Sequence, residues 1–131
     1  MRLTRSSSYA VHALAHLAAG GSRPVASHDI ARACGISESF LKKILLALAS
    51  ARLVHSIRGR RGGCRLAKPA ASISLLEVVE AVEGSIRGEA PVVSQTGGGL
   101  DARLREVCEE VAGLVRRRLG RVRLSDLAGK R

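Results

Sequence analysis

The sequence predicts a mainly α fold, a winged helix-turn-helix followed by a long C-terminal dimerisation helix, and three observations predict it. Between Pro24 and Pro69 two helical patterns are split by the short turn Gly35-Ile36-Ser37, the spacing of a DNA-binding helical pair. Two short apolar runs then flank a glycine-arginine tip, Arg58-Gly59-Arg60-Arg61-Gly62-Gly63, as a hairpin would. From Leu100 onward the chain reads as a helix of about five turns, in which apolar residues from Leu104 to Val115 recur by threes and fours.

In chain order, Ser6-Ser7-Ser8 supplies capping hydroxyls, and Tyr9, Ala13, Leu14 and Leu17 form an amphipathic stripe that ends at Gly20-Gly21. This helix should pack behind the helix-turn-helix, with Arg2 and Arg5 ahead of it. His12 and His16 have a spacing that can hold a metal, but with no third ligand nearby they read as solvated surface histidines.

Ile30, Ala33 and Cys34 recur at helical spacing after Ser27, and Gly35 can end that helix in a left-handed conformation. The helix start would cross the DNA backbone, with Ser27 and His28 available to a phosphate; His28 is equally readable as an idle exposed residue. Ser37 can cap the next helix, whose apolar stripe is Phe40, Leu41, Ile44, Leu45 and Leu48. Its polar face carries Ser37, Glu38, Ser39, Lys42 and Lys43, hydrogen-bonding groups for base edges and cations for phosphates. Glu38 is either a cytosine-N4 acceptor or a helix-start carboxylate favoured by the macrodipole.

The hairpin runs from Leu53, Val54 and Ile57 through the tip to Cys64 and Ala67. Its glycines, Gly59 among them, allow a tight bend, and Arg58, Arg60 and Arg61 place charged forks suited to phosphates or a narrow minor groove. An arginine-rich loop by itself is often only a solvated turn; directly after a helix-turn-helix the wing reading prevails.

After Pro69, Ser74 and Glu77 form a capping box and Ile73 and Val78 a hydrophobic staple, opening a helix to about Gly84 that buries Leu75, Val78, Val79 and Val82. Glu77, Glu80 and Glu83 read most simply as its solvated face. Ser85 to Gly99, with Gln95-Thr96 and three glycines, reads as a mobile loop. The long helix then carries the seam Leu104, Val107, Cys108, Val111, Leu114 and Val115, which in so small a chain should meet its own symmetry mate. Cys108 beside the seam gives an intersubunit disulfide a geometric chance, although packing explains it more simply. Arg116-Arg117-Arg118, Arg121 and Arg123 either reach flanking DNA or form a solvated helix end. Ser125 to Leu127 should form a last turn and Gly129-Lys130-Arg131 should fray. Three units result: 1–84 the winged helix-turn-helix, 85–99 a flexible loop, and 100–131 the dimerisation helix and terminal turn.

The 131 residues suit one modest aliphatic core, since Tyr9 and Phe40 are the only aromatics. Net charge is +11, unevenly placed: residues 1–70 hold 12 Lys/Arg against Asp29 and Glu38, a balance of +10, whereas residues 71–131 balance at +1. A polyanionic partner is implied. The polar N-terminus, with no long apolar run or signal-peptide pattern, points to a soluble cytoplasmic protein that does not engage a membrane. Cys34, Cys64 and Cys108 are odd in number and widely spaced, which suits neither a disulfide framework nor a zinc module.

Met1-Arg2-Leu3-Thr4, Tyr9-Ala10-Val11, the Gly35-Ile36-Ser37 turn, Val54 through Arg58-Gly59 to Gly62-Gly63, Ile73 to Val82 and Leu124-Ser125-Asp126-Leu127 together resemble the Rrf-two (IscR-like) family of bacterial winged-helix regulators. The resemblance implies a homodimeric DNA-binding repressor or activator, an N-terminus near the DNA backbone, and often a sensing site in the loop before the dimerisation helix. Cluster-binding relatives carry three cysteines in that loop and this chain carries none, so a member without an iron-sulfur cluster or other cofactor is expected. Sensing would then use a small-molecule or protein effector, or thiol oxidation. Cys64 stands where the family commonly has an aromatic; with Cys34 it is a candidate thiol sensor if nearby arginines depress its pKa.

These readings converge on a sequence-specific regulator, expected to be a repressor, bound to palindromic double-stranded DNA. The alternative from another class is a winged-helix module that binds protein or RNA through its basic face. An enzyme is excluded by the lack of a phosphate loop, a nucleophile-base set or a metal triad.

Overall fold

The computed structural model describes residues 1–93 and 99–128. The elements are α1 (Arg5–Ala19), α2 (Ser27–Cys34), α3 (Glu38–Ser50), β1 (Val54–Ile57), β2 (Gly63–Leu66), a 3₁₀ turn (Ala70–Ser72), α4 (Leu75–Glu83), α5 (Gly99–Arg121) and α6 (Leu124–Leu127). Among the described residues no helix is long and apolar enough to cross a membrane.

The helix starts follow local hydrogen bonding. Ser37 accepts from the Phe40 amide at 3.2 Å and opens α3. Ser74 and Glu77 form the expected reciprocal box, each accepting the other's amide at 3.1 and 3.0 Å. At α1 the cap is Thr4 rather than the serine run: its hydroxyl accepts from the Ser7 amide at 3.1 Å. The α2 start has no side-chain cap, because Ala26 occupies that position and Ser27 is already helical.

Gly35 ends α2 at φ 69°, as the turn requires. Arg52 after α3 takes the same left-handed region at φ 62° although it carries a Cβ.

One core joins α1 to α4. Ala10, Ala13, Leu14 and Leu17 of α1 meet Leu41, Ile44, Leu45 and Leu48 of α3, with Ile30, Leu53, Ile73, Val78 and Leu124 around them. Tyr9 and Phe40 lie edge to face beside it, ring centroids 5.6 Å apart. The short α2 buries Ile30 and Ala31, and the expected Ala33 points to solvent. In α4 the fully buried residues are Val78 and Val79, whereas Leu75 and Val82 are half-buried.

β1 and β2 pair antiparallel in the register Val54↔Leu66, His55↔Arg65, Ser56↔Cys64 and Ile57↔Gly63. Pairing at Val25 adds a third partner: Val25 and Cys64 exchange both backbone hydrogen bonds at 2.8 Å. Two glycines are required here. A Cβ on Gly62 would run into the Ile57 carbonyl, and one on Gly63, at φ 154°, into the Val25 carbonyl.

The chain after α4 departs from a free loop where it is described. The Gly88 amide donates to Glu109 at 3.0 Å, Arg116 donates to the Ile86 carbonyl and bridges to Glu109 at 3.0 Å, and Gly88 abuts the α5 backbone. Gln95-Thr96 and the Gly129-Lys130-Arg131 tail lie outside the described residues. Past α5 the backbone returns to the core, the Leu75 amide donating to Val122 and the Leu124 amide to Ile73, both at 2.8 Å.

The three glutamates of α4 are not an idle face. Glu77 also pairs with Lys68 at 2.7 Å, Glu80 accepts the Ile86 amide at 3.0 Å, and Glu83 accepts the Thr4 hydroxyl at 2.9 Å, the Thr4 amide and the Ser7 hydroxyl.

Candidate nucleic-acid interface

The α3 surface divides by helical spacing. Its buried stripe, Leu41, Ile44, Leu45 and Leu48, fixes the helix against α1 and α4. Glu38, Ser39, Lys42, Lys43 and Leu46 are left facing out. Ser37 is largely committed to its capping bond, and its oxygen lies 3.4 Å from that of Ser39. Glu38 stands in the first turn of α3, where the dipole favours a carboxylate. Leu46, unremarked in the sequence, is 69% exposed on this face.

The wing tip presents Arg58, Gly59, Arg60 and Arg61 to solvent, closed by a hydrogen bond from the Gly62 amide to the Gly59 carbonyl at 3.0 Å. Val25, immediately ahead of α2, is hydrogen-bonded to Cys64 of β2 and so ties the wing to the helix-turn-helix. A single cavity brings them together: Ser27 of α2, Lys42 and Leu46 of α3, and Ser56 and Gly63 of the wing line the same space. His28 is exposed, its Nε2 3.3 Å from the Asp29 carboxylate, which competes with any phosphate for it.

Arg2 and Arg5 are exposed at the head of α1. Glu83 is what holds that head in place. Burial alone would raise its carboxyl pKa, but hydrogen bonds from Ser7 and Thr4 outweigh that and hold it below the ordinary glutamate range. No periodicity in the sequence links residue 4 to residue 83, so this contact was illegible there.

The thiols are placed differently from a sensor pair. Burial pushes the Cys34 thiol up, the opposite of what a reactive thiolate needs. Cys64 is 6% exposed, its sulfur 3.8 Å from the Ser56 oxygen across the hairpin.

On α5 the expected seam splits. Leu100, Leu104, Val107, Val111 and Leu114 lie on one open stripe, each between 46% and 64% exposed. Cys108 and Val115 turn toward the body and line a groove with Val79 and Ile86. Of the basic cluster, Arg116 is tied to Ile86 and Glu109, whereas Arg117, Arg118, Arg121 and Arg123 are exposed.

A family profile described as Rrf2, iron-dependent transcriptional regulator, matches residues 3–130. Among curated relatives, protein aau3 of Rhizobium meliloti (strain 1021) is 49% identical over 65% of this chain, a match that spans only 55% of aau3. The HTH-type transcriptional regulator IscR of Cereibacter sphaeroides is 31% identical over 97% of this chain and 86% of its own. Among solved structures, CymR, the global cysteine regulator of B. subtilis, superposes with TM-score 0.78 at 27% identity, covering 98% of this chain and 96% of that one. T. potens IscR gives TM-score 0.73 at 28% identity, covering 97% and 85%.

The profile's description names iron, and the donor set here does not fit an iron-sulfur cluster. Cys34 ends α2, Cys64 lies in β2 and Cys108 in α5, whereas a cluster needs several thiolates converging on one point. No group of three or more His, Cys, Asp or Glu side chains converges among the described residues. Residues 94–98 and 129–131 contain none of those types. The fold, the matched relatives and the span of the match agree, and they are regulators rather than enzymes: this chain belongs to the Rrf2 family of transcriptional regulators.

Proposed function

We propose that this chain acts as a homodimer on a palindromic duplex operator, as a repressor that carries no iron-sulfur cluster. The observation that carries the reading is the convergence of the α2 start, the outward face of α3 and the Val25-anchored arginine wing on one edge of the molecule. Ser39 and Lys42 read base edges, with Ser37 and Glu38 flanking them; Lys43, Ser27, His28, Arg2 and Arg5 hold phosphates, and Arg58, Arg60 and Arg61 enter the adjacent minor groove. The open stripe of α5 supplies the dimer contact, Leu104, Val107, Val111 and Leu114 facing their copies. Two recognition helices then sit about 34 Å apart, one turn of DNA. Repression by occluding a promoter needs nothing beyond such binding, and a DNA target places the protein's work in the cytoplasm.

Selection from random duplex DNA tests this. Enrichment of an inverted repeat with half-sites one turn apart is expected. Recovery of no consensus, or better retention of single-stranded RNA than of duplex, overturns it in favour of an interaction module.

A further inference from the structure

The space between α3 and the wing has a shape that DNA binding alone does not explain. It measures about 350 Å³, within the range of small-molecule sites. Leu45, Leu46 and Ala49 form its wall along α3, and Cys64 closes it from β2. Polar groups are few: the hydroxyls of Ser27 and Ser56, and the ammonium of Lys42, the one charged side chain among its described lining residues. Leu46, 69% exposed, stands on a face otherwise made of Glu38, Ser39, Lys42 and Lys43.

A helix in the major groove and a hairpin in the neighbouring minor groove straddle one sugar-phosphate strand, so that strand passes over this opening. A phosphodiester there is served by the Ser27 hydroxyl, and the bases beside it by Lys42; neither gains anything from an apolar chamber. A ligand that uses both parts has a short apolar body and one negative charge. Positive charge is disfavoured by Lys42 and by the +10 balance of residues 1–70, and a neutral ligand leaves Lys42 unused.

We propose that this chamber is an effector site for a small aliphatic carboxylate, whose chain packs on Leu45, Leu46 and Ala49, whose carboxylate takes Lys42, and whose presence excludes duplex DNA. The inference rests on the DNA-interface reading, and it puts the sensor at the DNA edge rather than in the segment before α5. Ligand and DNA then compete for Lys42 and for the same opening, so each weakens the other by the same factor.

The test uses the full chain and sodium hexanoate, with hexan-1-ol and hexylammonium chloride as probes of equal body and different charge. Hexanoate at tenfold its dissociation constant is expected to raise the melting temperature by roughly 5 °C, saturably, and to release the selected duplex at constant ionic strength; the alcohol and the amine should do neither. Ala49→Leu, which puts a bulkier side chain on the wall where the ligand's body would pack, should abolish the shift while leaving duplex affinity within about twofold. If that variant does not fold, Leu46→Glu at an exposed position sets a like charge at the rim and should abolish the shift equally. The proposal is overturned if no carboxylate from butanoate to octanoate gives a saturable shift, or if the shift survives in the folded variant. The melting assay contains no DNA, so hexanoate binding without duplex binding would overturn the operator reading and with it the exclusion of DNA, leaving only the carboxylate site, whereas duplex binding that hexanoate neither shifts nor releases would overturn the chamber alone.

Discussion

α3 and α5 are both amphipathic helices, yet one is finished by its own chain and the other is not. The stripe of α3 disappears beneath α1 and α4, with Leu41 and Leu48 wholly inaccessible. The longer α5, of 23 residues, buries Ala112 and Leu119 toward the body and leaves five large apolar side chains open on its other side. The four-three spacing of Leu100, Leu104, Val107, Val111 and Leu114 is that of a helix seam. A contiguous apolar line of this kind marks a surface awaiting a partner. The apolar stripe of α3 is thus covered by its own chain, whereas that of α5 is left open, as the proposed dimer requires.

The comparison can be broken most forcefully at α5. Val107→Glu with Val111→Glu should turn the dimer into monomers in sedimentation velocity, leave helix content unchanged, and lower operator affinity by on the order of a hundredfold through loss of the paired contact. A double variant that still sediments as a dimer would remove the seam from the interface. The wing should respond in the reverse sense. Arg60→Ala with Arg61→Ala should leave the dimer intact, weaken binding to all duplexes by roughly tenfold or more, and reduce the slope of log K against log salt by about two. An unchanged slope would show that these arginines do not meet phosphates.

A smaller effect sharpens the link between the two halves. Glu83→Gln should cost about 1 kcal/mol or less at neutral pH, since the carboxylate is exposed and solvent screens its bonds to Thr4 and Ser7. Its folded pKa lies below the ordinary glutamate range, so its stabilisation is fully present above that range and disappears as pH falls through the folded pKa. Denaturant melts of both proteins should therefore converge in acid, and a constant difference down to full protonation would discount the latch. The smallest expected effect is at Arg52, where glycine removes the left-handed strain: Arg52→Gly should stabilise by about 0.5 kcal/mol, read from the urea midpoint.

Legibility in the sequence followed the range of the interaction. The Gly35 turn, the Ser37 cap, the Ser74-Glu77 box and the hairpin bounded by Gly59 and Gly63 were all readable, each having its partner a few residues away. The outward face of α3 was readable for the same reason, because helical spacing alone separates the exposed Ser39, Lys42 and Lys43 from the buried Leu41 and Leu45. Leu46 was missed because an isolated leucine in an apolar-rich helix looks like core until its neighbours are known. The α4 glutamates were misjudged because their partners Thr4, Ser7 and Ile86 lie on other segments.

What the sequence determined by itself was the main helices and the hairpin, most of their ends, and the cationic character of the first 70 residues, because capping, turn chemistry and periodicity act within a few residues of chain. What only the tertiary structure decided was how those elements are tied: the Val25-Cys64 pairing that sets the wing, the Glu83 hold on the N-terminus, the fastening of Ile86 and Gly88 to α5, and the turn of Cys108 and Val115 away from the open seam. These depend on backbone groups and short polar side chains far apart in the chain, which have no period to reveal them and find partners only once the core has brought their segments together.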